Sequence, residues 1–236
     1  MVAIFKRLNL PNKTINLLVL LVMGDFFYIG LHLVHKAARI LNVIDTLQYN
    51  DVFALYYDLS LGESFQYLKE YWIIIVFLWL IFRQRQGQYM GWVLLFIYLL
   101  LDDMLGFHEG LATFALKNLN IDPKFILTGE LRYQDFGELG VSVFFGVILF
   151  GLIGIAYLRG SSDVRRTFHY LFAGLAIIVF FGVVNDFLNR IFSEEGSKVL
   201  FELTRLIEES GEMLGMSLTC WFVNTLLAST SDNQNP

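Results

Sequence analysis

The chain has 236 residues, of which 56% are hydrophobic and 17% charged, with a net charge of -5 and a mean hydropathy of +0.57. Soluble domains carry about a quarter of their residues as charges, so this composition excludes an ordinary water-soluble fold, and its apolar content excludes a disordered chain. The acidic balance, with no basic face, excludes nucleic acid as a partner, and the single cysteine, Cys220, permits no internal disulfide.

A helix needs about 20 mostly apolar residues to cross the hydrocarbon layer of a bilayer. Six stretches qualify, at 15–35, 66–82, 89–109, 136–158, 167–189 and 199–228. The first follows Lys6, Arg7 and Lys13 as a signal peptide would. Asp25 interrupts it, however, and no A-x-A cleavage pattern follows, so a retained helix is expected. The second has the shortest apolar core, YWIIIVFLWLIF, and needs Tyr67, Lys69 and Tyr71 as interfacial residues to complete a crossing. Prolines occur only at Pro11, Pro123 and Pro236, and neither a linker nor an internal repeat divides the chain. The expectation is an all-α polytopic membrane bundle of six helices forming a single domain over 1–236.

Charge sets the orientation. The N-terminal tail, the loops near Arg83 and Arg159 and the C-terminal tail carry Lys6, Arg7, Lys13, Arg83, Arg85, Arg159, Arg165 and Arg166 against only Asp163 and Asp232. The other loops carry as many bases but ten acids, spread over more chain. Basic density in short loops marks the cytoplasmic side, so both termini are expected to be cytoplasmic in a bacterial inner membrane. Within the spans lie Asp25, Asp102, Asp103, Glu109, Glu138, Asp186, Glu202, Glu208, Glu209 and Glu212, with Arg205 as the base among them. An ionisable group at the bilayer centre costs roughly 2.5 to 3.5 kcal/mol on insertion scales, so these acids need partners, protons, water or metal.

In this topology every intramembrane charge falls at mid-depth or in the outer half, which predicts one outward-facing cavity. Helical phase gathers the residues into stripes: Asp25, His32 and His35; Asp102 and Glu109, with Asp103 and His108 to either side; Glu202, Arg205, Glu209 and Glu212. Gly106 with Gly110, and Gly211 with Gly215, are spaced for close helix packing. Arg205 lies within one helical turn of Glu202, Glu208 and Glu209, so part of the sixth stripe reads equally well as a structural ion-pair network.

Carboxylates with imidazoles are the donor set for Zn, Fe or Mn. Asp102, His108, Glu109, Glu209 and Glu212 are the expected ligands of a divalent metal, with His32 and His35 next. Asp103 or Glu138 would act as general base on a metal-bound water, and Ser142 would be a nucleophile or a packing residue. The ferritin-like Glu-x-x-His pair and the H-E-x-x-H motif are both missing from the sequence.

The segments LFIYLLLDDMLGFHEG, LGESFQYLKEYW and FGVVNDF resemble uncharacterised multipass bacterial membrane proteins that carry an Asp-Asp-x-x-x-x-His-Glu helix. That resemblance implies a membrane bundle and brings no activity with it. A looser comparison is with the alkaline ceramidases and progestin-receptor relatives, zinc hydrolases of the membrane, but their seven spans and late H-x-x-x-H pair are absent here.

The first functional expectation is therefore a metal-dependent membrane enzyme, a hydrolase or di-metal oxidoreductase, acting from the outer leaflet on a lipid or other apolar substrate. The alternatives are a cation or proton-coupled transporter, whose carboxylates serve as carriers, and a non-catalytic partner or assembly subunit.

Overall fold

The computed structural model describes residues 12–41, 51–55, 57, 59–122, 126–128, 131–184 and 198–232. Among these residues the chain is helical apart from short turns and one hairpin. Helix α1 is Asn12–Leu41, α2 Leu61–Gln84, α3 Met90–Leu105, α4 Phe107–Asn118, α5 Tyr133–Arg159, α6 Ser162–Val179 and α7 Lys198–Asp232. Strands β1 (Ile126–Thr128) and β2 (Leu131–Arg132) pair antiparallel between α4 and α5. Five of the described helical segments are long and apolar enough to cross a membrane: Thr14–Leu41, Leu61–Gln84, Gly87–Leu105, Tyr133–Arg159 and Ser162–Gly182. This is the make-up of a multipass membrane protein. Large apolar side chains stay exposed along these helices, Phe27 at 64% and Val147 at 69% among them. In water such surface would be a liability, whereas lipid tails solvate it.

The helices form two compact units. The first comprises described residues of Met1–Val76 and Arg166–Pro236, the second those of Phe77–Arg165. In the first unit α1 packs along α7, and α7 packs on a π-helical turn, Phe180–Val184, that continues α6. Gly211 and Gly215 make that approach possible. A Cβ at Gly211 would overlap the Phe181 ring, and one at Gly215 would press on Ile178, so this small-residue pair packs as its spacing predicts. Helix α2 opens on a capping arrangement in Ser60-Leu-Gly-Glu63: Ser60 Oγ accepts the Glu63 N–H at 3.2 Å, and Glu63 Oε2 accepts the Leu59 N–H at 2.6 Å. The helix therefore begins at Leu61, which places Lys69 and Glu70 well inside it rather than at an edge.

In the second unit α3 and α4 both pack on α5. The expected single helix over 89–109 is broken. Gly106 takes a left-handed conformation, φ 56 and ψ 44, ending α3 and starting α4. Asp102 and Glu109 therefore do not share one continuous helical stripe, and the phase argument that joined them is corrected here. Among the described residues a Cβ at Gly110 would meet nothing, so none of them makes a close approach there. The break is held by rings, with Phe107 on Phe145 at 5.7 Å and Tyr98 on Phe145 at 5.2 Å between centroids.

Candidate functional site

The first unit holds an ion pair in its interior. Lys69 Nζ of α2 lies 2.9 Å from Asp25 Oδ1 of α1, with both side chains at 1% exposure or less. The same ammonium donates to the Met213 carbonyl at 2.9 Å and to Ser217 Oγ at 3.2 Å, both on α7. Ser217 in turn donates its hydroxyl proton to Asp25 Oδ2 at 2.6 Å, and it too is fully buried. Three helices thus surround one ammonium with three kinds of oxygen: carboxylate, hydroxyl and carbonyl. Lys69 also lies 4.8 Å from the centre of the Phe65 ring, which adds a cation–π contact. Trp72 Nε1 donates to Asn224 Oδ1 at 3.0 Å, a second polar tie between α2 and α7.

This site corrects the reading of Lys69 as an interfacial residue. Its side chain does not reach towards water but is buried among α1, α2 and α7. Asp25 bonds an ammonium and a serine hydroxyl. The stripe that contains it is otherwise as the spacing predicted, with Asp25, His32 and His35 all buried. His32 Nδ1 accepts the Leu55 N–H at 3.2 Å, which in the neutral ring leaves its proton on Nε2.

On α7, Glu202 pairs with Lys36 at 2.8 Å. The Arg205 guanidinium lies 5.6 Å from the centre of the Phe201 ring. Glu209 and Glu212 are half-buried, and the Glu212 carboxylate lies against Gly182 in the π-helical turn. Asp186, with Asn185 and Asn189, lies outside the described residues.

A different polar arrangement sits at the α3–α4 break in the second unit. Asp102 Oδ1 accepts the His108 backbone N–H at 2.8 Å, satisfying an otherwise orphaned donor in the first turn of α4. The same oxygen lies 2.7 Å from His108 Nδ1. A charged carboxylate there requires Nδ1 to be the donor, so in the neutral ring Nε2 keeps a lone pair for a proton or a metal. Gln134 of α5 ties this end together: its amide donates to Glu138 Oε1 at 2.8 Å and to the Glu109 carbonyl at 3.1 Å. Thr113 Oγ1 donates to Gln134 Oε1 at 3.1 Å. Asp103 and Glu109 are exposed, and Glu138 is half-buried.

The expected metal ligands are thus divided. Asp102, His108 and Glu109, with the general-base candidates Asp103 and Glu138, belong to the second unit, and His32, His35, Glu209 and Glu212 to the first. Among the described residues, neither unit gathers three His, Cys, Asp or Glu side chains in a way that could hold a metal ion.

A family model described as a domain of unknown function (DUF8692) matches residues 14–226, nearly the whole chain. The chain belongs to this family. No curated protein and no solved structure matches it. The description of DUF8692 assigns no activity, so function has to be argued from the residues themselves.

Proposed function

We propose that this DUF8692 protein is a cation/proton exchanger of the membrane, with Asp25, Ser217 and the Met213 carbonyl as the ion site and Lys69 as its resident proton carrier. The observation that supports it is the oxygen cradle around the Lys69 ammonium, buried between α1, α2 and α7. Carboxylate, carbonyl and hydroxyl oxygens are the ligands that hard cations take. A monovalent cation entering the cradle would displace the ammonium. An ammonium without its counter-ion is costly in a low-dielectric interior, so Lys69 would give up its proton as the cation enters. One positive charge arrives and one leaves, and the buried net charge stays the same. Reversal on the other side of the membrane completes electroneutral exchange.

Stability alone is a poor reason to keep such a pair. Replacing a buried ion pair by apolar residues of similar volume is often neutral or stabilising, and ionisable groups inside membrane bundles mark ion and proton pathways by default. In this reading α7, 35 residues long, is the sixth crossing, and the basic short loops set both termini in the cytoplasm. The test is full-length protein in proteoliposomes with a pH dye trapped inside and a Na+ or K+ gradient imposed. The expected result is proton movement driven by the cation gradient and lost in Asp25→Asn. Wild-type vesicles that show no cation-driven pH change would refute the exchanger.

The Asp102–His108 pair favours a second reading, a hydrolase working at the α3–α4 break. There His108 Nε2 would serve as general base or as one ligand of a divalent metal (Zn, Fe or Mn), with Asp102 as the carboxylate behind the imidazole. Glu109 and Glu138 are the nearby acids of this unit that such a centre would recruit, and a membrane lipid or other apolar molecule would be its substrate. Metal analysis of protein purified without chelator separates the two readings, since the exchanger requires no stoichiometric transition metal.

A further inference from the structure

A groove of about 500 Å³ runs between the C-terminal part of α1 and the N-terminal part of α7. Its polar lining is His32, Lys36 and Arg39 from α1 and Glu202 from α7, and its apolar lining includes Leu33 and Leu203. Lys36 crosses the groove to pair with Glu202 at 2.8 Å, and this pair is only partly buried, its side chains 22% and 46% exposed. The pair leaves the Arg39 guanidinium, itself exposed, as the groove's surplus positive charge. Among the described residues Arg39 forms no ion pair.

Depth separates this groove from an ordinary surface cleft. Lys36 is eleven residues beyond Asp25, which at 1.5 Å per residue is about 16 Å along α1. With Asp25 near mid-membrane, as its position halfway along α1 sets it, Lys36 and Arg39 come to the boundary where hydrocarbon of about 15 Å half-thickness meets the headgroups. The apolar lining continues onto exposed faces, with Leu33 at 50% and Leu203 at 49%, and such faces lie against acyl chains.

We infer that this groove holds one anionic phospholipid of the surrounding leaflet, its phosphate against Arg39 and Lys36 and an acyl chain along Leu33 and Leu203. The complementarity is quantitative in charge. A phosphodiester carries a single negative charge, and among the described residues the groove's charged lining, Lys36, Arg39 and Glu202, sums to a single positive one. Arginine binds phosphate oxygens through its planar fork of donors, and basic residues clustered at the membrane boundary recognise anionic headgroups. A zwitterionic lipid would bring its own cation into a groove that already has one in surplus.

The experiment uses the full-length protein in mild detergent, titrated with phosphatidylglycerol or phosphatidylcholine of the same chain length and read by native mass spectrometry. Soluble glycerol phosphate serves as a headgroup without chains. The expected result is one tightly held phosphatidylglycerol per chain, binding at least tenfold tighter than phosphatidylcholine, with no retention of glycerol phosphate. Arg39→Gln is expected to weaken phosphatidylglycerol at least tenfold without changing phosphatidylcholine. Glu202→Gln removes the acid from the groove's lining, so it is expected to tighten phosphatidylglycerol several-fold. Equal binding of the two lipids, or phosphatidylglycerol binding indifferent to both substitutions, would overturn the inference. Retention of glycerol phosphate alone would overturn it as well, by showing an ion site rather than a lipid site.

Discussion

Replacing Lys69 by Met while leaving Asp25 in place keeps most of the side-chain volume and removes the ammonium. The gross attraction across 2.9 Å is about 6 kcal/mol at an effective dielectric of about 20, but desolvating each ion costs several kcal/mol. The pair therefore comes out near zero as a whole, while either half alone is expensive. Without Lys69, Asp25 keeps only the Ser217 hydroxyl among the donors described above, and a buried charge stranded in this way costs about 3 to 5 kcal/mol. At about 2 to 4 °C per kcal/mol for a chain of this size, Lys69→Met should lower the melting temperature in detergent by about 6 to 20 °C. Asp25→Leu, which strands the ammonium, should do the same. The double variant should recover to within about 2 kcal/mol of wild type, because the Met213 carbonyl, freed of Lys69, lies one helical turn before Ser217 and can accept its hydroxyl proton. Intrinsic fluorescence from the four tryptophans follows the transition. Single variants that melt with wild type, or a double variant that melts at the sum of the two losses, would refute this account of the pair.

Three further outcomes follow from the geometry. Gly211→Leu forces a side chain into the Phe181 ring and should cost about 1 to 3 kcal/mol, whereas Gly110→Ala, in open space, should cost nothing measurable in the same melt. If the hydrolase reading holds, the wild type carries stoichiometric Zn, Fe or Mn by elemental analysis, and His108→Ala or Glu109→Gln releases it with the helices still inserted. A metal-free preparation would remove that reading. For topology, single cysteines at Asp122 and Glu194 should react with an impermeant thiol reagent from outside and those at Gln86 and Ser162 should not. The reverse pattern would exchange the two faces.

The helices and most of the buried stripe were legible because both are local patterns. Long apolar runs mark the spans, and Asp25, His32 and His35 fall on one face through spacings of seven and three. Lys69 was misread for a physical reason. A lysine at the edge of an apolar run ordinarily snorkels to the interface, and its partner lies 44 positions away on another helix, beyond any periodicity. The available signal was the capping sequence Ser60-Leu-Gly-Glu63, which starts α2 early enough to draw Lys69 and Glu70 inside. The α3–α4 break was hidden by assuming an unbroken period through DDMLGFHE. Gly106, four residues after Asp102 and two before His108, could have been read as a left-handed stop. A carboxylate just upstream of the new helix also fits its unpaired N–H groups. Which unit each expected ligand belongs to had no sequence signal, since helical phase says which residues share a face and nothing about how helices group.

The central claim is that the closed Asp25–Lys69–Ser217 network opens to solution during function. Its most direct test is Ser217→Cys in a Cys220→Ala background, reconstituted in vesicles and exposed to an impermeant thiol reagent on one side at a time. In the described state Ser217 is fully buried, so modification requires opening. The account predicts labelling whose sidedness changes when the transmembrane cation gradient is reversed. A folded protein that stays unlabelled from both sides under every gradient would contradict it and leave the network a static tie between three helices.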